Sequence, residues 1–562
     1  MFTDKNVSGK VLDHLGLVAA TIEKLGLIEK IDQRLPLANP KTTMGQRVAA
    51  MIFNGLGFID DRLYMFPEFL ENKPVDRLFK GNLKAEHFND DALGRCLDAI
   101  DDYGVTKLFS ELALTIGIEQ KLLGRTFNID STTLSVYGDY EEDDESLEET
   151  QETNITPEKV ESPDPSAQAK PRYGYSKNHR GDLKQMILNL ATTGKAGFPI
   201  WMEAHSGNAS DKKILHQAAQ RMKDLCKSIK DAPSFMTVGD SAIYDACLKG
   251  KDSDMLWLTR VPEYHKAAKQ LLQYPDETYI WVKLSDGYKI CSTQTTYKEV
   301  NQRWVVIYSE QAYQKECKTL EKRIQKMEES LQTALWHLGN QVFQCEKDAC
   351  KSLQVFHKQF THHILSAKVE PLYQYQGRGR PSEGSKSSVV GYKVVGTFTK
   401  DESKILEERN TKGRFILATN QLDKNILPDE EILFEYKKQS KTESGFKFIK
   451  DNAFEVSSIF LKKPGRIAAL MMVMTLCLMV YGVSQYNLRC ALEAAQDTLP
   501  SQTKKATAKP SMKWVYRMFH GVHLVKFTFQ EITQEIVINL KDVHKKIIVY
   551  FGQIAMDIYG II

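Results

Sequence analysis

Residues 126–138 read TFNIDSTTLSVYG, and the period of the chain changes there. Upstream, GKVLDHLGLVAATIEKLGLIEKID (residues 9–32), GQRVAAMIFNGLGF (45–58) and DDALGRCLDAIDDYGVTKLFSELAL (90–114) repeat apolar residues at intervals of three and four, the period of helices. Asn89-Asp90-Asp91 is placed to cap the last of these. From residue 126 the apolar residues fall in short β-rich runs bounded by turn signals such as Thr193-Gly194-Lys195. LKQMILNLATT (183–193) and FPIWMEAHS (198–206) are the next two strands. A helical stretch (209–230) leads to a fourth strand, FMTVG, and a short helix leads to a fifth, MLWLTRV.

Two aspartates stand at the strand ends, Asp130 in TFNIDSTT and Asp240 in FMTVGDSAIY. Later comes Tyr436-x2-Gln439-x3-Glu443-x6-Lys450. At about 100° per residue these four side chains fall within an arc of about 60° on one helix. Cutting a phosphodiester by in-line attack takes two hard cations roughly 4 Å apart, and carboxylate oxygens suit Mg²⁺. Asp130, Asp240 and Glu443 are therefore candidate catalytic residues and metal ligands for two Mg²⁺ ions, with Mn²⁺ as a substitute. Lys450 can neutralise phosphate charge, while Tyr436 and Gln439 can orient a DNA strand. Three strands, a helix, a strand, a helix and a strand is the element order of the ribonuclease H-like fold. The expected class is α/β: a ribonuclease H-like catalytic core, a helical N-terminal domain, and a mixed, largely β insertion domain before the catalytic helix.

The motifs resemble the DDE transposases of bacterial insertion sequences, in the branch whose third motif reads Tyr-x2-Arg-x3-Glu-x6-Lys. GDLKQMILNLATTGKAGFPIWMEAHSGNASD (181–211) and SGFKFIKDNAFEVSSIFLKKPGRIAALMMVMTLCLMVY (444–481) are similar to insertion sequence family 1634, a relative of family 4. The chain departs from that branch at Gln439, where the pattern has arginine. The resemblance implies an enzyme that binds the terminal inverted repeats of its element, pairs the ends as a homodimer on double-stranded DNA, cleaves them and joins them to a target. It implies a bacterial cytoplasmic, nucleoid-associated protein with no small-molecule substrate. Two other readings share the residues: a structure-specific nuclease without a joining step, and a retired transposase that only binds DNA.

At 562 residues the chain is too long for one core. The expected divisions are a helical DNA-binding or dimerisation domain (1–120), the first part of the core (121–270), the insertion (271–412), the second part of the core (413–495) and a C-terminal appendage (496–562). The formal charge of +3 hides an asymmetry: residues 139–165 hold 12 acidic residues and one basic, and without them 74 basic residues face 60 acidic, a balance of +14. That balance favours a polyanionic partner. The acidic stretch, with its prolines and no hydrophobic period, marks residues 139–170 as a disordered insertion between two strands.

Nine scattered cysteines fit a reducing compartment. Cys345, Cys350, His357 and His362 match no usual zinc spacing. The apolar run at 467–483, about 17 residues, sits at the lower limit for crossing a bilayer and reads as a buried helix, so no membrane partner is expected. In the insertion, Gly377-Arg378-Gly379-Arg380-Pro381 places Arg378 and Arg380 where they can enter a narrow minor groove, or form an ordinary solvated loop. The run at 173–180 mixes aromatic and basic residues suited to stacking and phosphate contact, or to a strand-edge loop. Trp257 and Trp304 read as core residues, with base stacking as the alternative. The tail after residue 500 is expected to pack against the catalytic core.

Overall fold

The first strand, β1 (Val7–Val11), finds its partner at the far end of the chain: it runs antiparallel to His523–Phe529, with Val7 opposite Phe527. The N-terminal region is therefore not purely helical, and its edge is completed by the C-terminal tail. The computed structural model describes residues 7–58, 63–137, 140, 168–174, 180–209, 211–229, 232–249, 254–359, 361–375, 387–450, 461–529 and 532–561. Most of the acidic stretch, the greater part of 173–180, and both Arg378 and Arg380 lie outside the described residues. The chain forms two units, Met1–Thr259 with Phe434–Ile562, and Arg260–Leu433.

In the first unit β1 is followed by α1 (Leu15–Lys24), α2 (Leu27–Arg34), α3 (Met44–Leu56), α4 (Phe66–Glu71), α5 (Val75–Phe79), α6 (Asp90–Tyr103) and α7 (Val105–Glu119). Their starts follow local chemistry. Thr43 and Gln46 form a reciprocal capping box at α3. The Asn89 side chain accepts from Ala92 N at α6, whose first turn carries Asp90 and Asp91 against the positive end of the helix dipole.

The sheet that follows holds β2 (Thr126–Ser135), β3 (Gln185–Thr193), β4 (Phe198–Ser206), β5 (Met236–Gly239) and β6 (Trp257–Arg260). Helix α8 (Asp211–Ser228) lies between β4 and β5 in sequence, and α9 (Tyr244–Lys249) between β5 and β6. The spatial order is β4-β3-β2-β5-β6, with β2–β3 and β3–β4 antiparallel and β2–β5 and β5–β6 parallel. All nine residues of β3 are buried, which explains its unbroken rather than alternating pattern. Trp257 is buried in this core.

The second unit begins with α10 (Lys266–Gln273) and the antiparallel strands β7 (Val282–Lys283), β8 (Tyr288–Tyr297) and β9 (Val300–Ser309). Helices α11 (Glu310–Asn340) and α12 (Glu346–His357) lead to a long ribbon of β10 (His363–Tyr375) and β11 (Ser387–Lys400). Then α13 (Glu402–Thr411) precedes β12 (Arg414–Thr419), which pairs with β9. The unit is mixed: α11 alone is 31 residues long, and buries only Cys317, Leu320, Ile324 and Leu331. Trp304 is core, its Nε1 donating to Gln302.

The chain returns through α14 (Asp429–Lys437) and α15 (Gln439–Ile449) to α16 (Pro464–Ala494). This last helix is 31 residues long and apolar enough to cross a membrane, yet 83% of its most apolar window is buried within the protein. It packs against α1, α3, α6, α7, α15 and β4, so its apolar girth faces protein on nearly every side. Arg466 near its start makes a two-pronged ion pair with Asp98 on α6 (2.7 and 2.6 Å).

The tail adds the small pair β13 (Leu499–Pro500) and β14 (Ala506–Thr507), helix α17 (Met512–Met518), the hairpin β15 (His523–Phe529) and β16 (Ile532–Ile538), and helices α18 (Asp542–Phe551) and α19 (Gln553–Tyr559). It packs chiefly on α1 and α16 rather than on the sheet that bears the aspartates. The buried His14 ring shows why: it stacks on Tyr516 of α17 at 4.4 Å while its Nε2 bonds Leu56 O at 2.8 Å. Tyr559 Oη donates to Asp13 O at 2.5 Å.

Candidate active site

Side chains alternate along β2, so Thr126, Asn128 and Asp130 share one face. That face carries α14 and α15. Thr126 Oγ1 donates to Glu435 Oε2 at 2.5 Å. Thr442 Oγ1 lies 2.7 Å from Thr192 Oγ1 and donates to Asn128 O at 3.3 Å. A β-carbon added at Gly445 would meet Leu190 at 3.3 Å, and Leu190 is opposite Asp130 on β3. The helix thus advances along β2 toward the level of Asp130, which is half-buried and accepts from Ser131 N through Oδ1 at 2.7 Å.

Asp240 follows directly on β5. The parallel register pairs Thr126 with Met236, Phe127 with Thr237 and Asn128 with Val238. Asp130 stands two residues beyond Asn128 on β2, and Asp240 two residues beyond Val238, one past the end of β5. A β-carbon at Gly239 would come within 2.5 Å of Ile243 Cδ1, so the Ile243 side chain would have to shift to admit one. Asp240 Oδ1 accepts from Ala242 N at 2.8 Å, a short side-chain turn, and its carbonyl accepts from Thr259 Oγ1.

Glu443 is exposed on α15. Two residues before it, Lys441 reaches the opposite way: its Nζ donates to Gly194 O at 3.3 Å and to Lys195 O, and its Cβ is 3.1 Å from the β-carbon position of Gly197, just before β4. Residues two apart on a helix diverge by about 200°. Glu443 therefore lies on the flank away from β4, which in this sheet order is the β5 side. Among the described residues no group of three or more His, Cys, Asp or Glu side chains is close enough to hold a metal ion, so Glu443 does not close on the two aspartates. The same holds for Cys345, Cys350, His357 and His362; Cys345 instead faces Asp348, and His362 pairs with Glu408 at 2.7 Å.

The four motif residues do not ride on one continuous helix. Helix α14 ends at Lys437 and α15 starts at Gln439, with i+3 bonds from Lys438 N to Glu435 O and from Lys441 N to Lys438 O across the junction. Tyr436 is half-buried in the last turn of α14, and Lys450 caps the end of α15. Gln439 is 8% exposed and turned into the protein, contrary to the expectation of DNA contact. Beside the junction lies Glu435, 4% exposed, whose carboxylate is held by Thr126 and by Lys438 Nζ at 2.7 Å. The sequence signalled nothing of this: an acidic residue in DEEILFEYKK reads as solvated until the β2 hydroxyl opposite it is known.

The other face of the sheet holds a polar network. Asn189, fully buried, lies 3.0 Å from His205 Nε2; Glu203 Oε2 is 3.2 Å from the same nitrogen, and Arg221 of α8 pairs with Glu203 at 2.8 Å. Burial opposes ionisation of Glu203, but the His205 and Arg221 contacts outweigh it and hold the carboxyl below its ordinary value.

The class of the protein comes from its family. The family model described as "Transposase DDE domain" matches residues 123–480, more than half of the chain, and the chain belongs to that family. Residues 7–114 match a domain of unknown function, DUF4277. A solved structure of the piggyBac transposase synaptic complex with hairpin DNA is similar at 9% identity and a TM-score of 0.34, covering 90% of this chain and 78% of that one. No curated protein matches the chain.

Proposed function

We propose that this DDE transposase acts on an insertion sequence of family 1634: it binds the terminal inverted repeats, cleaves the ends and joins them to target DNA. The observation that supports the reading is the parallel register of β2 and β5, whose last pair, Asn128 with Val238, precedes Asp130 and Asp240 by two residues each. The order β4-β3-β2-β5-β6, with its two antiparallel and two parallel pairings, supports a ribonuclease H-like core.

Asp130, Asp240 and Glu443 are all hard oxygen donors, the set that Mg²⁺ takes, with Mn²⁺ as a substitute. Bound there, two such ions would supply activation of the attacking oxygen and stabilisation of the leaving one. Asp130, Asp240 and Glu443 would hold the ions, with Glu443 contributed from an exposed flank of α15. Tyr436 and Lys450 are assigned to the DNA end, with Arg378 and Arg380 as backbone or groove contacts. Gln439 acts on the placement of α15 rather than on DNA. The helical region before residue 120 is assigned to end recognition and to pairing of two subunits, in the bacterial cytoplasm.

The test uses a supercoiled plasmid carrying the DNA that flanks the gene on both sides, incubated with protein and Mg²⁺ beside Glu443→Gln. Excision at both ends by wild type alone is expected. Cutting without regard to the ends would instead indicate a plain nuclease, and binding without cutting a retired transposase.

A further inference from the structure

Cations from four parts of the chain gather on the flank of α15 opposite Glu443. Lys441 leans on the turn between β3 and β4, donating to the carbonyls of Gly194 and Lys195. Helix α16 passes the same turn, where a β-carbon at Gly482 would meet Ala196 O at 3.7 Å. Two turns on, Arg489 Nε donates to Pro510 O at 2.9 Å. The tail then lies along α16: Gln485 Oε1 accepts from Met512 N at 3.0 Å, and Tyr481 Oη accepts from Lys513 N at 3.1 Å. Tyr481 in turn packs on Phe448 of α15, rings 4.7 Å apart.

These contacts string Lys195, Lys441, Arg489, Lys509 and Lys513 into one basic seam, continued by the exposed Lys504 and Lys505. Among the described residues, Lys195, Lys441, Arg489, Lys504, Lys505 and Lys509 form no salt bridge with a carboxylate. Burial, and then the neighbouring charges of Lys438 and Arg489, lower the pKa of Lys441. Like charges that the fold brings together are stabilised by an external polyanion. The stretch from Gly482 to Arg489 alone covers about 10 Å, the axial span of roughly six phosphate charges of a duplex. A small anion would need donors converging on one point, and this seam is extended.

We propose that this seam binds the phosphate backbone of duplex DNA, on the side of α15 away from the three carboxylates. The proposal rests on the transposase reading. It gives the C-terminal tail, which lies beyond the matched transposase domain, a share of the DNA contact.

The experiment measures affinity of the full chain for a fluorescent duplex in EDTA, where no cutting occurs, between 50 and 200 mM salt. Lys504→Gln/Lys505→Gln/Lys509→Gln lies on an exposed loop, so its fold is checked simply by an unchanged melting temperature. The expected slope of log affinity against log salt is shallower than wild type by ~2.7, about 0.9 per lost contact, for any duplex sequence. Lys195→Gln should lower it by ~0.9, and Lys195→Arg should leave it unchanged. Wild-type slopes in both glutamine variants would overturn the seam and leave the transposase reading standing. A wild-type protein that binds no duplex DNA at all would overturn both.

Discussion

Asp240 and Asp130 are related by the register of β5 and β2: Val238 pairs with Asn128, and each aspartate stands two residues further along the chain, Asp240 just past the end of β5. Because the strands are parallel, both carboxylates emerge at the same level of the sheet. One strand slip would send one of them to the opposite face.

From that relationship, Asp130→Asn and Asp240→Asn are each expected to abolish end cleavage while DNA binding and thermal stability stay near wild type. Gel assays of cleavage and of binding on the same preparations check this. Cleavage at a comparable rate by either variant would remove that residue from the site.

The hydroxyl pair of Thr192 and Thr442 fastens α15 to the sheet at 2.7 Å. Thr442→Val leaves a buried hydroxyl without its partner, at a cost of about 1–3 kcal/mol in urea unfolding. Thr192→Val/Thr442→Val should recover part of that loss, since both polar groups are gone. Strictly additive losses would show that the two hydroxyls do not interact.

Glu435 is the buried carboxylate that sequence reading overlooked. Glu435→Ala strands Lys438 and Thr126 and should cost about 3–5 kcal/mol, the penalty for breaking one side of a buried pair. Glu435→Gln, which keeps a hydrogen-bond acceptor for Thr126, should cost less. Equal melting temperatures for wild type and Glu435→Ala would mean that the pair contributes nothing to holding α14 and α15 on the sheet.

His14 supplies a pH dependence. Burial lowers its pKa from the ordinary 6.5 to about 4, with the Leu56 carbonyl and Asp13 pulling upward and Lys73 and His520 downward. The folded state keeps the ring neutral while the unfolded chain takes up a proton, so its contribution is complete above pH 6.5. It declines as pH falls toward 4, and below that both states are protonated. The slope is about 1.4 kcal/mol per pH unit, or roughly 3 kcal/mol over the window. Unfolding free energies of wild type and His14→Phe between pH 7 and 4 should converge as the pH drops, and parallel curves would count against this assignment.

The sequence by itself determined the local periods and their order. Apolar spacing in residues 9–32 and 90–114 specified helices, the Asn89 cap specified where one begins, and β-branched runs from residue 126 specified strands. These are near-neighbour effects, written within a few residues of where they act. The dependence of the apolar run in α16 on protein rather than lipid, by contrast, needed its packing partners.

Tertiary structure alone decided which distant segments meet. Nothing in VSGKV announces a partner at residues 523–527, because strand pairing is satisfied by backbone groups that every residue carries. The motif from Tyr436 to Lys450 reads as one helical face, yet two helices meet at Lys438, beside the buried contact of Glu435 with Thr126, and Gln439 is buried. Local propensity is worth tenths of a kcal/mol per residue, and a buried carboxylate's need for partners is worth several. That difference is why the succession of helices and strands could be read from residues alone, while the junction beside Glu443 could be read only from the fold.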